Sequence, residues 1–553
     1  MTALSLASAS ACGSEGGQGS GTISTGADAS ATLGGSATDA SSSGGNGSTG
    51  GSASASTGEG SGTGSTKLDV GFGSDGGDST GVPPPSCKVQ DDMDAIGDCS
   101  TRAPADSFAP EQQWSWSGPD GNAQSSVTPL VANFTDDDGN GEIDLCDVPD
   151  VVVVLGDGAF APGGQMWLLD GATGTPHFEF AADVNGSVTP AIGDIDGDGL
   201  PEVVTMDSAG LIAFEHDGSV AWQAPTPSNS NFFAVALADL DNDGDVEIVV
   251  GNFVADHTGA TEFAAPDYFW NAGDAIYLSA TAAADLDDDG DLEVVMGRSA
   301  WHHDGSNYYQ VQAQVPGYPQ IADLDDDAQP EVLVTSTNGL TVLEHDGAVK
   351  YQDLRPTGDA PGYNWYRPAT VHDFDGDGVR EYATSSATHY SVFEADASIV
   401  WTADVAEFSC CAAGTAFDFL GDGVAEAMYA DETTMWTYDG NTGAVLVNRP
   451  RSSWTNIEYP VVVDVDNDGS AEILVVSNNY QGMTAPTIEV FRDAEDRWIQ
   501  PRRIWNQHTY HVTNVREDAT IPQFEQPSWT LLNTYRTNAQ IEGGGVCNPV
   551  PEG

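Results

Sequence analysis

The chain is short of positive charge. Of its 553 residues, 16 are Lys or Arg against 85 Asp or Glu, and the formal net charge at pH 7 is -69. Such a surface repels phosphate, which excludes nucleic acid and an anionic membrane face as partners on electrostatic grounds and favours cations instead. Long hydrophobic runs are missing too: no stretch of about 18 apolar residues occurs, so no segment is suited to crossing a bilayer as a helix. HExxH, GxSxG and P-loop patterns are absent, and with no catalytic constellation in view the chain is expected not to be an enzyme. No CxxC spacing occurs either, which argues against a thiolate metal site.

The apolar fraction, 39%, is enough for a large core, while 64 glycines argue against helical bundles and for an all-β fold. The opening residues 1–12, MTALSLASASAC, are small and apolar like the end of a secretory signal but carry no basic n-region, as in a truncated signal. Ala9-Ser10-Ala11-Cys12 is similar to a bacterial lipobox without its usual leucine, so Cys12 is the expected lipidation site and a lipid anchor the one expected membrane contact. Residues 13–86 are almost entirely Gly, Ser, Thr, Ala and acidic residues, a composition that cannot bury enough apolar surface to offset its ordering entropy; it reads as a disordered tether spanning on the order of 45 Å. Residues 87–110 form a short lead-in, 111–510 the folded domain and 511–553 a closing tail. Setting Cys12 aside leaves six cysteines in what reads as an exported chain. The spacing suggests Cys87 with Cys99, a vicinal Cys410–Cys411 pair, and Cys146 with Cys547, one of 15 arrangements that six cysteines allow.

What the chain has in abundance is one nine-residue pattern. DIDGDGLPE begins at Asp194, DLDNDGDVE at Asp239, DLDDDGDLE at Asp285, DLDDDAQPE at Asp323, DFDGDGVRE at Asp373, DFLGDGVAE at Asp418 and DVDNDGSAE at Asp464, at intervals of 45, 46, 38, 50, 45 and 46 residues. A period of this size denotes a propeller or a stack of units. Each copy joins two short β-branched segments, and each unit continues into a hairpin signalled by Asp-Gly, as in LIAFEHDGSVAWQ. Four strands per unit make one propeller blade. An earlier unit begins at TPLVANF, residues 128–134, which brings the count to eight, with seven as the alternative if EQQWSWSG at 111–118 supplies only a closing strand.

Alternate aspartates wrapped around a glycine turn converge on one centre, and hard cations such as calcium take six to eight oxygens at about 2.3–2.6 Å. The expected ligands are Asp194, Asp196, Asp198, the Leu200 carbonyl and Glu202; Asp239, Asp241, Asp243, Asp245 and Glu247; Asp285, Asp287, Asp289, Asp291 and Glu293. They continue with Asp323, Asp325, Asp327, Gln329 and Glu331; Asp373, Asp375, Asp377, Val379 and Glu381; and Asp464, Asp466, Asp468, Ser470 and Glu472. The first unit carries a longer insert, in which Asp136, Asp138, Asn140, the Glu142 carbonyl, Asp144 and Asp147 fall in an EF-hand-type register, without flanking helices and with Asp at position 12. Two loops depart from the pattern: Ala328 replaces the turn glycine of the Asp323 loop, and Leu420 replaces an aspartate in the Asp418 loop, which is expected to bind weakly or not at all. The alternative, that all these are plain polar turns, fits poorly with four acidic groups held in register through repeated copies.

The pattern resembles the FG-GAP/VCBS repeat family, whose members include integrin α-subunit propellers and secreted bacterial surface proteins, over residues of about 128–500. The Phe-Gly and Gly-Ala-Pro elements that name the family are largely absent. The resemblance implies a bladed fold with calcium between first and second strands, and an extracellular adhesion or ligand-binding module. Some polysaccharide lyases, rhamnogalacturonan lyases among them, resemble the same arrangement and form an alternative; LLDGATG and TYDGNTG hint at a quinoprotein-like propeller.

The face opposite the calcium loops receives the segments that enter each first strand. Phe232, Tyr318, Tyr363, Trp365, Tyr366, Trp454 and Tyr459 lie there. These rings either pack between blades and line the channel, or offer stacking surfaces to a glycan or protein; Phe232, Tyr318, Trp365, Tyr366 and Trp454 are the candidate ligand contacts. In the tail, RRIWNQHTYH gathers Arg502, Arg503, His508 and His511, either to pair with acidic loops while sealing the last blade or to hold an anion.

Overall fold

The computed structural model describes residues 87–89, 96–121, 123–156, 163–226, 234–265, 280–409 and 411–550, apart from the Tyr363 side chain. The expected all-β class is what it has: among the described residues there is no α-helix, only three short 3-10 turns. Eight four-stranded antiparallel sheets follow the chain, seven of them continuous in sequence at 130–179, 191–225, 236–264, 282–310, 317–354, 370–404 and 414–450. The eighth takes Val461–Val463, Glu472–Val476 and Ile488–Asp493 and receives its outermost strand, Pro110–Trp116, from the start of the domain. EQQWSWSG therefore completes the eighth sheet rather than reducing the count, and the exchange ties the two ends of the ring.

Burial follows strand position. First and second strands such as Val461–Val463 and Glu202–Met206 are buried at every residue. Outer strands such as Val220–Pro225 are mostly exposed, with partial burial at every second residue, and only one side packs on a neighbouring sheet. That side carries an aromatic ring. Phe178, Trp222, Phe263, Tyr309 and Trp401 each lie against the hairpin glycine of the following sheet, at Gly218, Gly259, Gly305, Gly347 and Gly443, and Trp114 closes the series on Gly174 of the first sheet. The Trp114 indole also donates to the Gly171 carbonyl at 2.6 Å.

The tail does more than seal the last sheet. Residues 504–509 and 535–538 run along the innermost strands. Trp505 exchanges two backbone bonds with Val131 of the first sheet, the Ile192 N–H donates to Asn506 O, and the Leu237 N–H donates to Gln507 Oε1. On the return, Tyr535 exchanges two bonds with Val371, Thr415 Oγ1 donates to Arg536 O, and Asn538 Nδ2 donates to Val462 O. The centre of the ring is thus filled by the chain itself.

Two disulfides correct the expected pairing. Cys87 bonds Cys146 and Cys99 bonds Cys547, with Cα separations of 4.8 and 5.1 Å. The reason is a small separate sheet: Gly97–Asp98 pairs in parallel with Gly545–Asn548, which sets Cys99 beside Cys547 and frees Cys87 for the acidic insert. Cys411 is disulfide-bonded, while Cys410 and Cys12 lie outside the described residues.

Candidate metal sites

All seven nine-residue loops fold alike. The first aspartate accepts the N–H of the sixth residue on Oδ2, at 3.0 Å for Asp194 and Gly199, 2.9 Å for Asp239 and Gly244, and 2.7 Å for Asp418 and Gly423. The same bond closes the loops of Asp285, Asp323, Asp373 and Asp464. The fifth-position carboxylate accepts the N–H two residues on, as Asp198 does from Leu200 at 2.9 Å. The ninth residue, the glutamate that opens the second strand, turns back: Glu202 Oε2 accepts the Ile195 N–H at 2.9 Å, and Glu247, Glu293, Glu331, Glu381, Glu426 and Glu472 repeat the bond. Ala328 takes the left-handed backbone, φ 75°, that glycine takes elsewhere, so the Asp323 turn is made despite the substitution.

Each loop thereby commits one oxygen of its glutamate to the backbone; the other meets His302 in Glu293 and Lys350 in Glu331, and in Glu202 and Glu472 it has no hydrogen-bond partner. Oxygens of Asp194, Asp196 and Glu202 lie within 4.8 Å of one another. Glu202 Oε1 and Glu472 Oε1 are buried and have no hydrogen-bond partner. Burial first, and then the aspartate charges beside it, pushes the Glu202 carboxyl up to about 8, and the same causes act on Glu293 and Glu381. Asp239 rises to about 6, chiefly through burial. A buried oxygen-only set with an unsatisfied acceptor fits a hard divalent cation, which would take the vacant lone pairs and relieve the repulsion.

The insert of the first unit is arranged in the same way. Asp136 accepts the Gly141 N–H at 2.8 Å, Asn140 Oδ1 accepts from Glu142, and Asp144 accepts from Cys146. Asp147 is fully buried and accepts the N–H groups of Asp137, Asp138 and Asp144, while oxygens of Asp136, Asp138 and Asp147 cluster within 4.8 Å. One residue escaped the sequence reading. Asp150 opens the second strand of this unit and accepts the Phe134 N–H at 2.9 Å, as the glutamates do elsewhere, with His177 Nε2 at 3.0 Å from its other oxygen. The insert displaces it from the nine-residue register, and its place at the start of a strand is the signal that identifies it.

Neighbouring loops touch. Asn242 Nδ2 donates to Gly290 O and Asp291 Oδ1 of the next loop, and Asn467 Nδ2 to Leu145 O and Asp147 O. The tail reaches these loops as well, through Gln500 to Asp464, Gln523 to Asn242 and Asn533 to Asp323.

The candidate ligand contacts divide. Tyr318, Trp365 and Tyr366 are buried: Tyr318 and Tyr366 stack at 4.4 Å, Tyr318 and Tyr459 lie beside His508 of the central tail, and the Trp365 indole donates to Asp359 O. Trp454 alone of the described candidates is open, 41% exposed, with its edge against Tyr480. Phe232 lies outside the described residues. The arginine cluster is structural: Arg502 donates to the carbonyls of Val512 and Val515, and Arg503 pairs with Glu517 at 3.1 Å and donates to Leu145 O. His508 is buried in the centre, and His511 pairs with Glu525 at 2.6 Å.

Residues 194–250 match the FG-GAP-like repeat. That stretch is an FG-GAP-like repeat set within a β-propeller. No curated protein matches the chain. Its fold is similar to that of the V. cholerae biofilm matrix protein Bap1, with a TM-score of 0.67 at 21% identity over 80% of this chain and 100% of Bap1. More distant structures are the exotype rhamnogalacturonan lyase YesX (TM-score 0.46, 14% identity, 69% of this chain and 75% of that one) and a europium-containing methanol dehydrogenase (0.47, 12%, 71% and 95%). The expectation that the chain is not an enzyme is withdrawn on this finding, since lyases and dehydrogenases stand among the structures similar to this chain.

Proposed function

We propose that this FG-GAP-repeat propeller is a calcium-stabilised extracellular module that binds a glycan or a protein. The observation that carries the calcium reading is a glutamate bonded back to the backbone in all seven nine-residue loops, whose second oxygen, in Glu202 and Glu472, is buried beside aspartates without a hydrogen-bond partner. An extracellular setting is supported by the disulfides, which persist in oxidising compartments. The matrix-binding reading draws on Bap1, a biofilm matrix protein of this fold, and on the exposed Trp454 as a stacking surface.

The test has two arms. Melting curves in calcium and in chelator should differ by roughly 10 °C or more, as expected for several ligated ions; coincident curves would remove calcium from the proposal. Co-sedimentation with insoluble polysaccharides should show binding that Trp454→Ala weakens about tenfold, the worth of one stacked ring. Oligosaccharides released into the supernatant would reassign the module to lyase chemistry, and no retention on any polymer would leave a protein partner.

A further inference from the structure

The eight units do not treat the spare carboxylate oxygen alike. In the second unit Glu202 Oε1 has no partner, and in the eighth neither has Glu472 Oε1. In the fifth it meets a lysine. Lys350 Nζ lies 2.5 Å from Glu331 Oε1, 2.5 Å from Asp325 Oδ2 and 3.4 Å from Glu344 Oε2. Glu331 and Asp325 are the ninth and third residues of the Asp323 loop, the counterparts of Glu202 and Asp196.

Lys350 stands on the outer strand Val349–Leu354, three residues after the hairpin glycine Gly347. The same position is His177 in the first unit, Ala221 in the second, Glu262 in the third, Tyr308 in the fourth and Leu446 in the seventh. It looks onto the loop wherever its contacts are given: His177 touches Asp150, and the charge of Glu262 acts on Glu247. This outer-strand position faces the acidic loop together with the hairpin residue three before the glycine, which in the fourth unit is His302, 2.9 Å from Glu293 Oε1.

We propose that Lys350 is a built-in cation that replaces the metal in the Asp323 loop, so that this loop stays metal-free while its relatives bind calcium. Three carboxylates around one ammonium satisfy the charge that a divalent ion meets elsewhere, and the ammonium occupies the lone pairs such an ion would need. Ala328 fits this assignment, because the turn survives without the glycine and what differs is the cation. The inference rests on the calcium reading of the other loops and adds a rule for which of them are loaded.

The test is a reciprocal exchange on the full chain, with bound calcium counted by equilibrium dialysis. Lys350→Ala gives the fifth unit the residue of the second and should bind one more calcium than the unsubstituted protein. Ala221→Lys, at an exposed position, gives the second unit the residue of the fifth and should bind one fewer. Asp325→Asn in the unsubstituted protein should leave the count unchanged, whereas Asp196→Asn should lower it by one. In chelator Lys350→Ala should melt below the parent, with calcium restoring the difference. An unchanged count in both exchange variants, or a loss with Asp325→Asn, overturns the role of Lys350 while leaving calcium elsewhere intact. A count of zero in the parent overturns the calcium reading, and a count of zero in Lys350→Ala as well overturns this inference with it.

Discussion

A glutamate that opens a buried strand among three aspartates has to hold a proton or a metal, and Glu202 is such a residue. Burial, and after it Asp196, Asp194 and Asp198, raises its carboxyl from 4.5 to about 8 in the metal-free protein. Between those values the folded state keeps a proton that the unfolded chain has released, so stability falls as pH rises through this window and the contribution is fully present only below about 4.5. Glu202 alone should therefore account for several degrees of the fall in melting temperature from pH 5 to pH 8.5 in chelator. Glu202→Gln imitates the protonated form, so it should flatten that slope and remove one bound calcium; an undiminished slope in thermal melts would show that Glu202 ionises freely. These residues were legible because the register of Asp194, Asp196, Asp198 and Glu202 is local, nine consecutive positions. Lys350 was not, since it reaches Glu331 from 19 residues away on another strand. The burial of Tyr318 was not legible for the same reason: His508, which lies beside it, comes from the far end of the chain.

Between neighbouring sheets the recurring element is a ring over a hairpin glycine. The turns were legible as hairpins, but the second role of their glycines, making room for an aromatic ring of the neighbouring sheet's outer strand, is a contact between sheets that no local pattern records. At Gly259 an added Cβ would lie 2.5 Å from the Trp222 ring, and the backbone there has φ +79°. Gly358 has nearly the same φ, +78°, with nothing within 4 Å of such a Cβ. The pair separates conformational strain from packing. Gly259→Ala should destabilise by about 1–3 kcal/mol more than Gly358→Ala, the usual range for overpacking. Equal costs in chemical denaturation would mean that the ring moves aside and that this contact adds nothing to the joint between sheets. The same geometry explains why Trp114 matters beyond its own strand, since it performs this contact where the ring closes.

At the scale of the molecule three devices hold the ring: the outer strand Pro110–Trp116 on the eighth sheet, the tail along the inner strands, and the Cys99–Cys547 bond that ties the lead-in to that tail. The sheet count was legible from the 45-residue period. The filled centre was not, because residues 504–509 bond to one inner strand after another with no periodicity of their own. These devices act on backbone and core, whereas the loops add negative charge that must be met by cations. Six loops remain candidates for calcium once those of Asp323 and Asp418 are set aside, the first for Lys350 and the second for Leu420. A site held at a hundredfold excess over its dissociation constant contributes about 2.7 kcal/mol. Six together exceed the ~5–15 kcal/mol by which domains are ordinarily stable. Chelation at pH 8 should therefore unfold the ring near room temperature, whereas at pH 5, where protons take the place of the metal on Glu202 and its counterparts, the chelated protein should remain folded and melt cooperatively. Far-ultraviolet circular dichroism across that pH range, with and without chelator, decides the matter. A β spectrum at pH 8 that is indifferent to chelator would mean that closure, tail and disulfide suffice alone, and that the acidic loops tolerate their charge without a metal.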